Sequence, residues 1–362
     1  MNGSEGTAVF DEDKAGAFAE RMLGVLNGAF LALLLSVGHR LKLFDAMSGL
    51  APSTSDEVSK LTGYDERYVR EWLNGLVSAD VLAYDAGRRT YSLPPEHAAF
   101  LIRAAGGENM AFQAQYVGLL AAVEDDIMGA FRDGGGVPYA KFPRFQALMG
   151  EESAAIVDTT LLQTVLPSVP GLVERLDTGI PVADVGCGRG HAINVMAEAF
   201  PNSHFTGLDI SEEGIAAGRE EAEAKGLDNA AFETIDAVDL PGSYAFITTF
   251  DSIHDQARPD LALVAIRDAL QPGGVYLMVD IDASSNPEDN IGHPLGPYLY
   301  TFSLFHCMTV SLATPGGMGL GTAWGNQLAL TMLEEAGFPD IDLRRIDGDI
   351  VNAYYVCKKG DT

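Results

Sequence analysis

Three groups of residues have types and spacings that could do chemistry. The first is Val182-Ala183-Asp184-Val185-Gly186-Cys187-Gly188-Arg189-Gly190, an apolar run ending in alternating glycines. Glycine lets the backbone turn tightly and approach a ligand without side-chain obstruction. The loop reads G-x-G-x-G, because His191 stands where a dinucleotide loop needs its third glycine. The second group is a set of aspartates at the ends of apolar runs. Asp209 lies about 20 residues beyond the loop, where a carboxylate suits two ribose hydroxyls. Asp236 could accept from an adenine amino group, and Asp184 could face an ammonium. Each aspartate alone reads equally well as a turn or helix cap; their order along the chain carries the argument. The third group is Phe250-Asp251-Ser252-Ile253-His254-Asp255-Gln256. A histidine titrates near neutrality and can take a proton from an acceptor or orient it. The alternative is that His254 caps the following helix.

These residues need elements to hold them. Apolar runs at Val182–Gly186, His204–Asp209, Ala231–Ile235, Ala245–Asp251 and Val275–Asp280 read as strands. Helices begin near His191, Ser211 and Pro259, which predicts a parallel sheet with helices on both faces. After a long insertion, a helix over Asn326–Ala336 precedes Ile341–Ile346 and Val351–Lys358, with Asp347-Gly348 as a hairpin turn. Earlier, residues 16–37 read as a helix. Further helices end at Met47, begin at Ser53, and run from Asp65 to about Ala79; a hairpin follows around Asp85-Ala86-Gly87. Three helices and a hairpin make a winged-helix pattern. Residues 96–175 look helical apart from Asp133-Gly134-Gly135-Gly136-Val137-Pro138-Tyr139, either a plain loop or backbone that passes close to a ligand.

The chain has 362 residues, which suggests two domains. With 51 Asp and Glu against 23 Lys and Arg the net charge is −28. That disfavours nucleic acid and anionic lipid, whose binding relies on cations. Cys187, Cys307 and Cys357 are far apart, which fits a reducing, cytoplasmic setting without a disulfide framework. Met22 to Val37 is strongly apolar, lacks a basic flank and is short for a membrane span, so it reads as a helix buried in the core or at a subunit interface. Asp280 and Asp282 have no further spaced ligands, so no metal is expected.

The glycine loop with Asp184, Asp209 and Asp236, and the Gln271-Pro272-Gly273-Gly274 turn, resemble the class I S-adenosylmethionine-dependent methyltransferases over about residues 180–282. Over its whole length the chain is similar to a bacterial group of winged-helix methyltransferases typified by a mycobacterial enzyme. That similarity rests on Gly134-Gly135-Gly136-Val137-Pro138-Tyr139, Phe250 to Gln256, His293-Pro294-Leu295-Gly296, His306 to Leu312, Gly319-Leu320-Gly321 and Trp324-Gly325. It is less closely similar to enzymes that S-methylate a thioether acid in dimethylsulfoniopropionate synthesis.

The resemblance implies a Rossmann-like seven-stranded α/β domain and S-adenosylmethionine as cofactor. The cofactor would be held by Asp184, Gly186, Gly188, Gly190, Asp209, Ile210, Asp236, Ala237 and Phe250. Catalytic candidates are His254, Asp251 and Tyr139. The insertion from about Ala283 to Trp324 is long enough for a lid or binding loop, and His293, Tyr300, His306 and Trp324 are its candidate acceptor contacts. Most of its aromatic residues should be core or dimer contacts. The expected division is a helical winged-helix dimerisation domain over 1–100, a helical connector contributing to the acceptor pocket over 101–175, and the cofactor domain over 176–362. The expected partners are a small-molecule acceptor, methylated on O or S, and a second copy of the chain. A rival reading is a DNA-binding regulator using the winged helix. Arg67, Arg70, Arg88 and Arg89 are its only basic support, and Glu66 and Glu71 stand among them.

Overall fold

The computed structural model describes residues 10–360. It divides into two compact units, one ending at Leu119 and the other beginning at Leu120.

The first unit opens with α1 (Glu12–Arg40), capped by the Asp11 carboxylate. It continues through α2 (Leu43–Met47), α3 (Ser55–Thr62) and α4 (Glu66–Ser78). Thr54 and Glu57 form a reciprocal capping box at the start of α3, and Asp65 caps α4. The helical spacing of Val69, Trp72, Leu73 and Leu76 places them together in a core with Phe44, Met47 and Val58. Trp72 donates its indole N–H to the Leu34 carbonyl at 2.9 Å, which fixes the end of α1 over α4. Strands β1 (Ala83–Asp85) and β2 (Thr90–Ser92) pair antiparallel as the wing. On α4, Arg67 pairs with Glu71 and Arg70 with Glu66, so its cations are matched by acids on the same helix.

Helix α1 departs from one of its two expectations, a place in the core. It is 29 residues long, well beyond residues 16–37, and its apolar face is not buried within the chain. Leu23, Leu26 and Phe30 are each more than half exposed. Among the described residues it is the one helix long and apolar enough to cross a membrane by length and composition. The apolar stretch Met22–Val37 is continued at both ends by further turns of the same helix.

In the second unit, β3 (Pro181–Val185), β4 (His204–Asp209), β5 (Ala230–Thr234), β6 (Tyr244–Phe250), β7 (Leu270–Ile281), β8 (Asp340–Arg344) and β9 (Asn352–Lys358) form one sheet in the order β5-β4-β3-β6-β7-β9-β8. The first five strands are parallel, and β9 runs antiparallel to both β7 and β8. Alternate residues of each strand feed two apolar layers. Ala183, Ile247, Tyr276 and Met278 meet Pro259–Ala269 and Asn326–Glu335 on one face. Val182, Phe246, Leu277 and Val279 meet His191–Ala199 and Glu212–Lys225 on the other. The Gln271-Pro272-Gly273-Gly274 turn is absorbed into an irregular start of β7, where the pairing with β6 shifts register.

The insertion folds as Gly296–Phe302, a wider π-helical turn over Ser303–Cys307, and Met308–Leu312. Gly136 explains part of the glycine run. A Cβ there would lie 1.9 Å from the Thr309 carbonyl oxygen and 2.5 Å from the Ala313 nitrogen. The next residue, Val137, donates its N–H to the Thr309 hydroxyl at 2.8 Å. The close approach at Gly136 is therefore to the insertion's backbone. Gly136→Ala should destabilise the fold by about 1–3 kcal/mol, because backbone must move to admit the methyl group. Denaturant unfolding followed by circular dichroism will measure it, with Gly129→Ala, which meets open space, as the control.

Candidate active site

The parallel register sets the glycine loop beside the loop that follows β6. Asp184 of β3 lies opposite Gly207 of β4 and Thr248 of β6. The chain then turns at Gly186, whose φ is 75°. The N–H groups of Gly186 and Cys187 both donate to the Leu208 carbonyl, at 2.8 and 3.1 Å. A Cβ on Gly186 would meet the Ser252 side chain at 2.5 Å. Gly190, with φ 71°, lies against the Phe232 ring, 2.2 Å from where a Cβ would be. Gly188, with φ 54°, has nothing within 4 Å of that position, so its outer side is free to receive a ligand.

Two carboxylates flank this loop. Asp184 is buried and accepts from the Thr248 hydroxyl at 2.8 Å; burial pushes its carboxyl up to about 7. A cation brought beside it would favour the charged form. Asp209 accepts from the Gly188 N–H at 2.8 Å and the Ser211 N–H at 2.7 Å, and burial pushes its carboxyl up against those bonds. Next to it, Ile210 is 60% exposed, an apolar side chain at the rim. Asp236 is exposed and accepts from the Val238 N–H at 3.1 Å, and Ala237 beside it is buried. Phe250 ends β6 half-buried. The loop side thus offers an open backbone at Gly188, three acids in sequence order and an apolar rim, a set that fits S-adenosylmethionine.

Beyond β6 lies a buried polar cluster. Asp251 takes a left-handed backbone conformation with φ 48°, uncommon for a residue with a side chain. Its Oδ1 is buried without a hydrogen-bond partner, and burial with the nearby Asp280 pushes its carboxyl up to about 8. His254 is almost wholly buried. Its Nδ1 lies 2.7 Å from Asp280 Oδ1, and its Nε2 faces Asp255 Oδ1 at 3.4 Å. Burial opposes its charged form, yet the Asp280 and Asp255 carboxylates win, holding the imidazole well above its ordinary range. Asp280 Oδ1 also accepts from the Trp324 indole at 3.0 Å and the Ile281 N–H at 2.8 Å.

Aromatic rings close the cluster. The Tyr139 hydroxyl donates to Asp255 Oδ2 at 2.9 Å. His306 stacks on Phe145 with ring centres 3.6 Å apart, and meets Tyr139 and Phe142 edge-on. Burial drives His306 down to about 4, so it is neutral near pH 7. The Cys307 thiol is buried beside it and pushed up to about 11.

The structure gathers Asp251, His254, Tyr139, His306 and Trp324, although Trp324 acts through Asp280 and is otherwise core. His254 does not serve as a helix cap: the helix at Pro259 begins after Arg258, with no side-chain cap. Tyr300 and His293 lie apart from this cluster. Tyr300 is exposed and its hydroxyl accepts from Asn290; His293 lines a polar surface pocket with Asp282, Asn326 and Arg345. Tyr300 lies on Gly296–Phe302 with its side chain exposed, and His293 lies on the loop before that helix. Sequence reasoning missed Asp280 as the partner of His254, and missed Phe142, Phe145 and Cys307. A strand-end aspartate in step with Asp251 was the available signal for Asp280. For the rings, nothing in their spacing points to His306.

Two family models match separate parts of the chain. Residues 29–103 match the family model described as Rv2258c-like winged HTH domain, and residues 176–337 match one described as methyltransferase domain. The fatty-acid O-methyltransferase of Mycolicibacterium smegmatis is 33% identical over 105 residues, covering 28% of this chain and 37% of that protein. The nocamycin O-methyltransferase of Saccharothrix syringae is 34% identical over 129 residues, covering 33% of this chain and 45% of that protein. The chain thus spans less than half the length of these two relatives. Among solved structures, human N-acetylserotonin methyltransferase, in complex with S-adenosylmethionine, has a TM-score of 0.68 at 18% identity, covering 99% of this chain and all of that one. The mitomycin 7-O-methyltransferase MmcR has a TM-score of 0.71 at 17% identity, covering 96% of this chain and 100% of that one. These likenesses show a shared fold.

Proposed function

From a chain that joins an Rv2258c-like winged-helix domain to a methyltransferase domain, we propose an S-adenosylmethionine-dependent methyltransferase acting on a small-molecule acceptor. The observation that carries this reading is the pairing of β3 with β6 in register, which sets the open glycine loop beside the loop bearing His254. S-adenosylmethionine, when bound, supplies a methyl group on a positively charged sulfur. Asp184 would face its ammonium, Asp209 its ribose hydroxyls, Asp236 and Ala237 its adenine, and the Gly186–Gly190 backbone would pass along it.

His254 receives the acceptor's proton in this reading. Asp280 fixes its ring through Nδ1, which directs Nε2 toward the cluster's interior. The flanking carboxylates make it a stronger base and leave a smaller neutral fraction near pH 7. Asp255, held by Tyr139, sits at Nε2 and orients what arrives there. Phe142, Phe145 and His306 keep water out, which strengthens each of these interactions. Hydroxyl acceptors fit this arrangement, and O-methyl transfer is the preferred chemistry.

The exposed apolar face of α1 supports a homodimer built by the N-terminal unit, with Leu23, Leu26 and Phe30 covered by the second copy. Three free cysteines fit a cytoplasmic setting.

Three measurements test the reading. Asp209→Ala removes hydrogen bonds of roughly 1.5–3 kcal/mol each to the ribose. Calorimetry should show cofactor binding weakened about tenfold or more in a folded variant, and unchanged affinity would overturn the assignment. His254→Ala should cut single-turnover rate at saturating acceptor by roughly 10²–10⁴ and leave cofactor affinity intact. A variant that keeps the wild-type rate and pH profile rules out His254 as the base and favours a thioether acceptor, which has no proton to lose. Light scattering at micromolar concentration should give twice the chain mass; a monomer would refute the α1 interface.

A further inference from the structure

The neighbours of His254 leave two electron-rich atoms face to face. With Nδ1–H donating to Asp280, the free ring nitrogen Nε2 lies 3.4 Å from Asp255 Oδ1. That oxygen is buried and has no hydrogen-bond partner. No hydrogen bond joins the two atoms, and a cation can take both as donors. A proton is one solution; a metal ion is the other. Cys307 Sγ completes the set: one donor atom each from His254, Asp255 and Cys307 all lie within 4.8 Å of one another.

We propose that His254 Nε2, an Asp255 oxygen and Cys307 Sγ form a binding site for a zinc-class divalent cation. Imidazole, thiolate and carboxylate together are the donors that such borderline-soft ions select. In a tetrahedral site with bonds of about 2.0–2.3 Å, the donors stand roughly 3.3–3.8 Å apart. The 3.4 Å separation of Nε2 and Oδ1 already matches, and the sulfur, within 4.8 Å of the other donors, must close by up to about 1 Å. The surroundings match too. Asp280 holds the far side of the imidazole, as the outer carboxylate does behind metal-bound histidines. The Tyr139 hydroxyl holds the other oxygen of Asp255. Three protein donors leave a fourth position for water. On binding, the thiol proton and any proton on Nε2 pass to solvent, and no redox change occurs. Bound metal occupies the atom assigned above as the base, so it blocks turnover; the binding itself does not rest on that assignment.

The test uses the full chain stripped of metal with a chelator, without cofactor or acceptor. Cobalt(II) is the probe, because a cobalt–thiolate bond gives an intense charge-transfer absorption that carboxylates do not. One equivalent of cobalt should produce that band, and zinc should abolish it by displacement. Cys307→Ser should remove the band, and Asp255→Asn should weaken cobalt binding about tenfold or more. Cys357→Ser should leave the band intact. The absence of a thiolate band in the unaltered protein at stoichiometric cobalt would overturn the proposal. So would a band that survives Cys307→Ser, since the acidic surface or Cys187 would then hold the metal. Circular dichroism of each variant establishes that it is folded, and the unaltered protein decides the question if Cys307→Ser is not.

Discussion

The Asp280 carboxylate is the interaction on which the second unit's chemistry depends. It is fully buried near the end of β7, and one of its oxygens gathers the His254 imidazole, the Trp324 indole and the Ile281 amide. An uncompensated buried charge is costly, so these partners must all be in place. Each comes from a different part of the chain. His254 arrives from the loop after β6, and Trp324 from the end of the insertion. Gathering these donors on one oxygen fixes both loops over the same strand end, while the other oxygen is buried without a partner. The imidazole held there is itself left beside Asp255 and Cys307, and its charge state and possible ligands follow from that placement.

Backbone proximity supplies the second constraint. Ser252 fills the space a Gly186 side chain would take, and Phe232 fills that of Gly190. The glycine loop is thus packed from below while its outer side at Gly188 stays open. The contact of Gly136 with the backbone at Thr309 does similar work for the insertion, carrying Tyr139 and the nearby phenylalanines to His306. In both places the absence of a side chain determines which segments may touch.

The first unit poses a different problem. Its small core closes over α2, α3 and α4, yet α1 keeps an apolar face that this core does not cover. Helix amphipathicity ordinarily directs such a face inward. Here the residues of α1 are apolar nearly all round from Met22 to Val37, so no rotation of the helix could bury them in one small domain.

Local rules made much of this legible from sequence. The strands and helices of the sheet domain are short-range periodicities, and they fall within a residue or two of expectation, apart from β7, which starts earlier. Asp65 and Thr54 announce their helices, and the glycines of 186–190 announce a tight turn, because capping and positive φ depend on nearby residues alone. The lone histidine of His254-Asp255 was likewise visible as a proton carrier. What decided its role was not visible. Asp280 is 26 positions away, and only the pairing of β6 with β7 brings it to Nδ1. The Phe145–His306 stack joins residues 161 positions apart, through helices whose sequence spacing says nothing of their contact. Tyr300 and His306, close in sequence and alike as candidates, were separated by the direction of one helical turn: one faces solvent and the other is wholly buried. Sequence determines the elements and the residue chemistry, because both are local. Which side chains meet is a property of the packed sheet, and only the tertiary structure decided it.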